Sequence, residues 1–230
     1  MRPVSDLYKR LLTNPEHRRE TKVSIAGVEY QGPDKIYACS TAGGLFQNAT
    51  VGSCISRSLT LTIRPAGTIP RMAHISLFYR LTLGSEASEW IPRGVFYIDT
   101  RTVDEVSGLL TIKGYDAMRK AEAVWWDPSE DAGEWPMLQT DALADIAAIM
   151  GVEVDPRTAI NPAYKVEYPN DSTMREVLGH IAASHAGNWI MTGDGKLLLA
   201  PLFGMPIESS LLVDSMDGKA ILMGDVRLIV

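Results

Sequence analysis

Residues 73–83, AHISLFYRLTL, place Ile75, Leu77, Tyr79, Leu81 and Leu83 at every second position. Strand side chains alternate between two faces, whereas helix side chains repeat every 3.6 residues, so this run reads as a strand with one apolar face. Such a strand needs partners at its edges and cover on that face. Residues 55–64, ISRSLTLTIR, offer a second alternating strand, with Ile55, Leu59, Leu61 and Ile63 on one face and Ser58, Thr60, Thr62 and Arg64 on the other, stopped by Pro65. Residues 21–30 alternate through Val23, Ile25, Val28 and Tyr30 with a break at Gly27, and 35–40 form another short strand. Residues 41–53, TAGGLFQNATVGS, are a loop by composition, with Gly43 and Gly44 as a flexible turn. From 21 to 113 the pattern predicts five or six strands and almost no helix, which is an antiparallel β domain, a barrel or a sandwich.

The stretch 89–122 is the corner of the chain. A strand at 94–100, a polar turn closing on Gly108 and a strand at 109–113 run straight into a helix opening at Tyr115 and Asp116. Gly94, Gly108 and Gly114 are expected to set turns and close backbone approaches, and Phe96, Ile98, Leu110 and Ile112 to fill the core. Asp99, Asp104 and Asp116 read as turn and capping residues rather than catalytic ones. The period then changes. Residues 116–124 form a short helix ended by Trp125, Trp126, Asp127 and Pro128. Residues 140–150 form a helix burying Leu143, Ile146, Ala147 and Met150, with Thr140 or Asp141 as cap and Gly151 as stop. Residues 171–186 form another, with cap candidates at 171–173, Glu176 in the first turn, and Met174, Val177, Leu178, Ile181 and Ala182 facing inward. A hairpin follows at 188–200, turning on Asp194 and Gly195. At the start of the chain, Leu7, Leu11 and Leu12 predict a short docking helix within 1–19 that ends at Asn14 and Pro15.

The expected class is therefore α+β. An N-terminal helix or arm spans 1–20, a β-rich domain 21–120, and an α+β domain with two main helices and a hairpin 121–200. A return segment at 201–230 has strand-like runs at 210–213, 219–223 and 226–230, the last of which the sequence ends inside, as in a piece of something longer. At 230 residues this is one elaborated domain or two small ones. A hydrophobic fraction of 46% with 22% charged residues disfavours disorder, and no apolar run approaches the roughly 18 residues a membrane-spanning helix needs. The charged N-terminus lacks the apolar region of a secretory signal, so folding in a cytoplasm is the expectation. Cys39 and Cys54 are then expected to be reduced thiols. The net charge of −6 is uneven: 121–160 contains nine acidic residues against Arg157 alone, which disfavours phosphate contacts there.

Candidate chemistry is thin. Asp127, Ser129 and Asp131 have the first spacings of a calcium loop, but the glycine is Gly133, one place late, and Leu138 stands where a bidentate Glu is needed. His180 and His185 are five apart, which does not place them on one helix face as zinc ligands. A cysteine with His185 and Asn188 has the residue types of a thiol protease without a nucleophile motif. The serine-hydrolase elbow, the phosphate-binding loop and the dinucleotide fingerprint are all missing. Trp125, Trp126 and Trp135 could form a carbohydrate platform, although core or interface packing is the commoner use. No catalytic, cofactor-binding or metal-binding residue is assigned, and no cofactor is expected.

Residues 91–122, IPRGVFYIDTRTVDEVSGLLTIKGYDAMRKAE, resemble the segment of tailed-phage baseplate-hub and tail-associated proteins in which P-x-G-x-F-x-I precedes L-T-I/L-x-x-Y-D-A/R-M. The later TMREVLGHIAASHAGNWIMTGDGKLLLAPL is similar to the same proteins' T-x-R-E-x-L-x-x-I-A, a glycine, a strand and D-G-K-L. The two segments stand in the family's order and cover about a quarter of the chain. The resemblance implies a structural, non-enzymatic protein of a phage or prophage tail tip. Residues 21–114 would be the tail-tube-like domain, 121–200 the inserted α+β domain, and 201–230 the start of a second tube-like domain. It implies a homo-oligomeric ring, three copies being the expected number, that connects the tail tube to other tail-tip proteins. The protein would sit in the virion tail after assembly in the bacterial host cytoplasm, with no membrane and no specific nucleic-acid partner. The alternatives are a carbohydrate-binding module and the non-catalytic N-terminal part of a tail-associated cell-wall hydrolase.

Overall fold

The computed structural model describes residues 4–44, 50–126, 135–202, 222–223 and 226–227. Alternation becomes pairing in β1 (Arg18–Ile25), β2 (Val28–Gln31), β3 (Ile36–Ala42), β5 (Ser58–Ile63), β6 (His74–Leu83), β8 (Ile91–Val103) and β9 (Leu110–Asp116). These form one antiparallel sheet in the order β2-β1-β6-β8-β9-β5-β3, with the short β7 (Glu86–Ala87) folding back on β6. The expected single strand at 21–30 is instead a hairpin. Ala26 and Gly27 both take positive φ, 49° and 83°, which turns the chain in two residues and lets Val23 face Tyr30.

The sheet curls into a half-barrel. Cys39 on β3 and Tyr79 on β6 lie far apart along the sheet order, yet they pack on the same core and are close enough to shift each other's titration. Among the described residues β2 and β3 do not pair, so the sheet stays open where a closed barrel or a two-sheet sandwich was expected. The alternating residues fill the concave side: Leu59, Leu61, Ile63, Ile75, Leu77, Phe96 and Ile112 are all buried. β8 runs longer than the predicted 94–100, with Pro92 accommodated beside an irregularity opposite Phe78. A second irregularity leaves the exposed Asp99 without a partner on β9.

β9 ends in the short helix expected at 116–124, which is a 3-10 helix over Ala117–Glu122, and Asp116 caps it by accepting the Met118 N–H at 3.2 Å. Beyond it lie β10 (Met137–Leu138), α2 (Gln139–Met150), β11 (Lys165–Val166), α3 (Met174–Ser184), β12 (Gly187–Met191) and β13 (Leu197–Pro201). α2 has no side-chain cap from Thr140 or Asp141: Leu138 holds the cap position, β10 pairs with β11, and the Gln139 N–H donates to the Tyr164 carbonyl at 2.9 Å. Gly151 ends α2 in the left-handed region at φ 65°. α3 starts on a full capping box, Thr173 with Glu176. The inward faces of both helices join Met118, Trp125, Trp189, Leu197 and Leu199 in a second core.

The strand expected at 55–64 is in fact two. β4 (Cys54–Ile55) separates from β5 at Ser56 and Arg57, pairs in parallel with β12, and buries Cys54 in the second core. The chain thus enters the second core between β3 and β5, midway through building the first. The N-terminal helix α1 (Asp6–Leu12) is capped by Ser5, buries Leu11 and lies on β6, and Ser5 is held in turn by Glu89. Of the return segment, Pro201 and Leu202 at the end of β13 and Leu222–Met223 paired with Val226–Arg227 are described; the predicted run at 210–213 and the acidic loop at 127–134 lie outside the described residues.

Candidate functional site

Two edges of the half-barrel face outward, and they differ in chemistry. β2 is four residues long and carries Glu29, paired with Lys22 at 3.0 Å. β3 is seven residues long, IYACSTA, with neither a charge nor a proline, and is mostly exposed. Charge, proline and shortness are the usual protections of an edge strand, and β3 has none of them. Its Tyr37, 47% exposed, accepts from Arg64 Nη2 at 3.0 Å and lies under that guanidinium.

Cations stack on aromatic rings at several points of the sheet. On one face, Arg80 lies 4.5 Å and Lys22 5.2 Å from the Trp90 ring, and each has a carboxylate: Glu20 at 2.7 Å from Arg80 and Glu29 for Lys22. Around Tyr79 the arrangement differs. Arg19 lies 4.6 Å and Arg93 5.7 Å from its ring, and neither has a carboxylate within ion-pair distance among the described residues. Arg57 joins them, donating from Nη1 to the Arg93 carbonyl at 2.8 Å and lying 5.7 Å from the Phe96 ring. Burial and the neighbouring Arg93 depress the Arg57 guanidinium, partly offset by the Asp116 carboxylate. No sequence signal joined these three arginines, because they come from β1, β8 and the link between β4 and β5.

At the junction of the two cores Asp116 is 2% exposed and accepts from the Ser56 hydroxyl and from the Arg57 and Met118 N–H groups. Burial pushes its carboxyl up to about 6, against the lowering effect of these donors. Arg175 on α3 crosses the same junction, pairing with Glu122 at 2.9 Å and donating to the carbonyls of Cys54 and Met118.

The thiol-protease set does not assemble. Burial pushes the Cys54 thiol up to about 12, and its Sγ donates to the Arg175 carbonyl at 3.4 Å. His185 caps α3: its Nε2 accepts the Asn161 N–H at 2.9 Å, which leaves Nδ1 as the donor to the Ile181 carbonyl. Asn188 pins the loop before β4 by accepting from the Ser53 N–H and donating to the Thr50 carbonyl, both at 2.8 Å. His180 is exposed on α3. Both cysteines are free thiols. Among the described residues no group of three His, Cys, Asp or Glu side chains could hold a metal, and no helix is long and apolar enough to cross a membrane. Asp127, Ser129, Asp131 and Gly133 lie outside the described residues.

The tryptophans give their faces to one another. Trp125, Trp126 and Trp135 meet edge to face at centroid distances of 5.2 to 6.0 Å, Tyr168 continues the series, and Trp125 Nε1 donates to Asp145 at 2.7 Å. A flat platform for a sugar is not formed by this packing. Among the described acids of the acid-rich stretch, Asp155 is held to about 2 by hydrogen bonds from Arg157, and Glu153 pairs with Lys196. Asp104 accepts the Val106 and Ser107 N–H groups, the turn role expected of it.

No family model matches the chain, and no curated protein matches it in sequence. Solved structures do. Over 84% of this chain the fold is similar to the prophage MuSo2 43 kDa tail protein from Shewanella oneidensis, with a TM-score of 0.52 and 16% identity. The tail protein from Neisseria meningitidis MC58 aligns over 79% of the chain at 15% identity and TM-score 0.48, and prophage tail protein gp18 from Listeria monocytogenes EGD-e over 79% at 12% and 0.43. The chain spans 59% of the Shewanella protein and 51% and 50% of the other two. What is shared is the fold: a mostly β chain with a curled antiparallel half-barrel and few helices. The Shewanella protein with which it is shared is a prophage tail protein.

Proposed function

We propose that the chain is a structural component of a phage or prophage tail, placed at the tail tip as part of the baseplate hub. Copies of it, three in number, form a ring that connects the tail tube to the tip, and the protein has no catalytic task. The fold likeness to a prophage tail protein supports the tail assignment. The observation that carries the assembly is the uncharged, proline-free and exposed edge of β3. An edge left unprotected pairs with another chain, and head-to-tail pairing that closes on itself makes a ring. The ion pairs and caps that occupy Asp116, Asp155, Glu122 and His185 leave those groups with structural work.

Sedimentation velocity over a range of concentrations tests this. The intact chain is expected to form a defined oligomer, and Ser40→Lys, a charge set into β3, is expected to return it to a monomer without loss of secondary structure. A monomer at every concentration, or an oligomer indifferent to the lysine, overturns the ring.

A further inference from the structure

The arginines around Tyr79 differ from the two cations stacked on Trp90. Lys22 and Arg80 sit on Trp90 and are neutralised by Glu29 and Glu20. Arg19 and Arg93 share the Tyr79 ring with no carboxylate at ion-pair distance among the described residues, and Arg57 is drawn in beside Arg93 by a hydrogen bond to its carbonyl. A ring fixes the plane of a guanidinium and leaves its N–H edge free, the arrangement that receives a carboxylate in two parallel hydrogen bonds. Crowding of like charges is a cost that a bound anion removes. Arg19 and Arg93 come from separate strands and Arg57 from the link into β5, so the fold holds their spacing whether or not a ligand is present.

We propose that Arg19, Arg57 and Arg93, gathered around Tyr79 at one end of the half-barrel, form a docking site for carboxylates on an acidic segment of a neighbouring protein in the assembly. The neighbour comes from the tail reading above, and on that point the proposal rests on it. A nucleic acid suits the site poorly. Binding along a phosphate backbone needs a track of several cations. The neighbours of Arg19 on β1, Arg18 and Glu20, point to the opposite face of the sheet, where they line a cleft with Glu16, Arg80 and Glu86, so β1 does not extend the three arginines into a basic track. The net charge of −6 also repels a long polyanion while leaving a local site for a short acidic one.

The test uses the intact chain and a fluorescent hexaglutamate peptide, read by anisotropy. Saturable binding that weakens with added salt is expected. The double substitution Arg19→Gln and Arg93→Gln should weaken it about tenfold or more, the scale of a lost charge-assisted hydrogen bond or two. Arg80→Gln, which removes a cation already paired with Glu20, should leave it unchanged. Arg19 and Arg93 are both exposed, and Arg93→Gln alone, expected to weaken binding by a smaller factor, guards against a folding defect in the double variant. Equal binding by the wild type and the double variant overturns the site. So does tighter binding of a twelve-nucleotide single-stranded DNA than of the peptide. The peptide is read on the chain alone and the ring by sedimentation, so failure of either leaves the other standing.

Discussion

The Asp116 carboxylate accepts the main-chain N–H of Arg57 at 3.0 Å, and the main-chain N–H of Asp116 donates back to the Arg57 carbonyl at 3.0 Å. This reciprocal pair closes the point where β9 leaves the half-barrel for the second core and where the chain passes from β4 to β5. One buried side chain therefore sets the relation of three segments.

The pH dependence of stability should carry the mark of that burial. The Asp116 carboxyl titrates near 6 in the folded chain against an ordinary 3.8, so between these values the native state holds the extra proton. The resulting stabilisation is complete below the unfolded value and is lost as pH rises through about 6. Urea unfolding at pH 7 and pH 5 should show the wild type gaining about 1 kcal/mol on acidification relative to Asp116→Asn. Parallel pH profiles for the two proteins would remove Asp116 as the cause.

Gly114 on β9 lies opposite Ile98 on β8, and a Cβ there would lie 2.5 Å from the Tyr97 carbonyl oxygen. That neighbour is backbone and cannot swing aside. Gly114→Ala should cost about 2 to 4 kcal/mol in chemical denaturation, as an overpacked site does. Gly108, with φ 67° and open space around it, tests the contrast. Its change to Ala should cost about 1 kcal/mol, through the backbone alone. An equal loss at the two positions would contradict the steric account.

Thiol reactivity should separate folded from unfolded chain. Cys54 is buried and its thiol is raised to about 12, and burial raises the Cys39 thiol as well. At pH 8 a disulfide reagent should label Cys54 only as fast as the second core opens, and both cysteines at once in denaturant. Rapid labelling of Cys54 under native conditions would mean that it is accessible as a thiolate.

Much of the fold is legible in local pattern. Period-two spacing names the buried faces of β5, β6 and β9. The capping box at Thr173 and Glu176 marks the start of α3, Gly151 stops α2, and Gly195 at φ 81° turns the hairpin between β12 and β13. These signals are legible because each acts within a few residues, through steric limits on φ or the alternation of a single strand.

Other features depend on pairings that no short window contains. Ile55 shares the alternation of Leu59 and Leu61, but β4 leaves that strand because Cys54 pairs with Trp189 in parallel, and the neighbouring Ser53 is bound by Asn188, 135 positions later in the chain. Curling of the sheet brings Cys39 towards Tyr79 and opens β3 as an edge. The same curvature collects Arg19, Arg57 and Arg93 from three places in the sequence around two aromatic rings. The sequence by itself determined most of the strand, helix and turn positions, because those preferences are local. Only the tertiary structure decided which core Cys54 enters and which charges stand together, because both follow from how the closed chain divides its apolar surface between two cores.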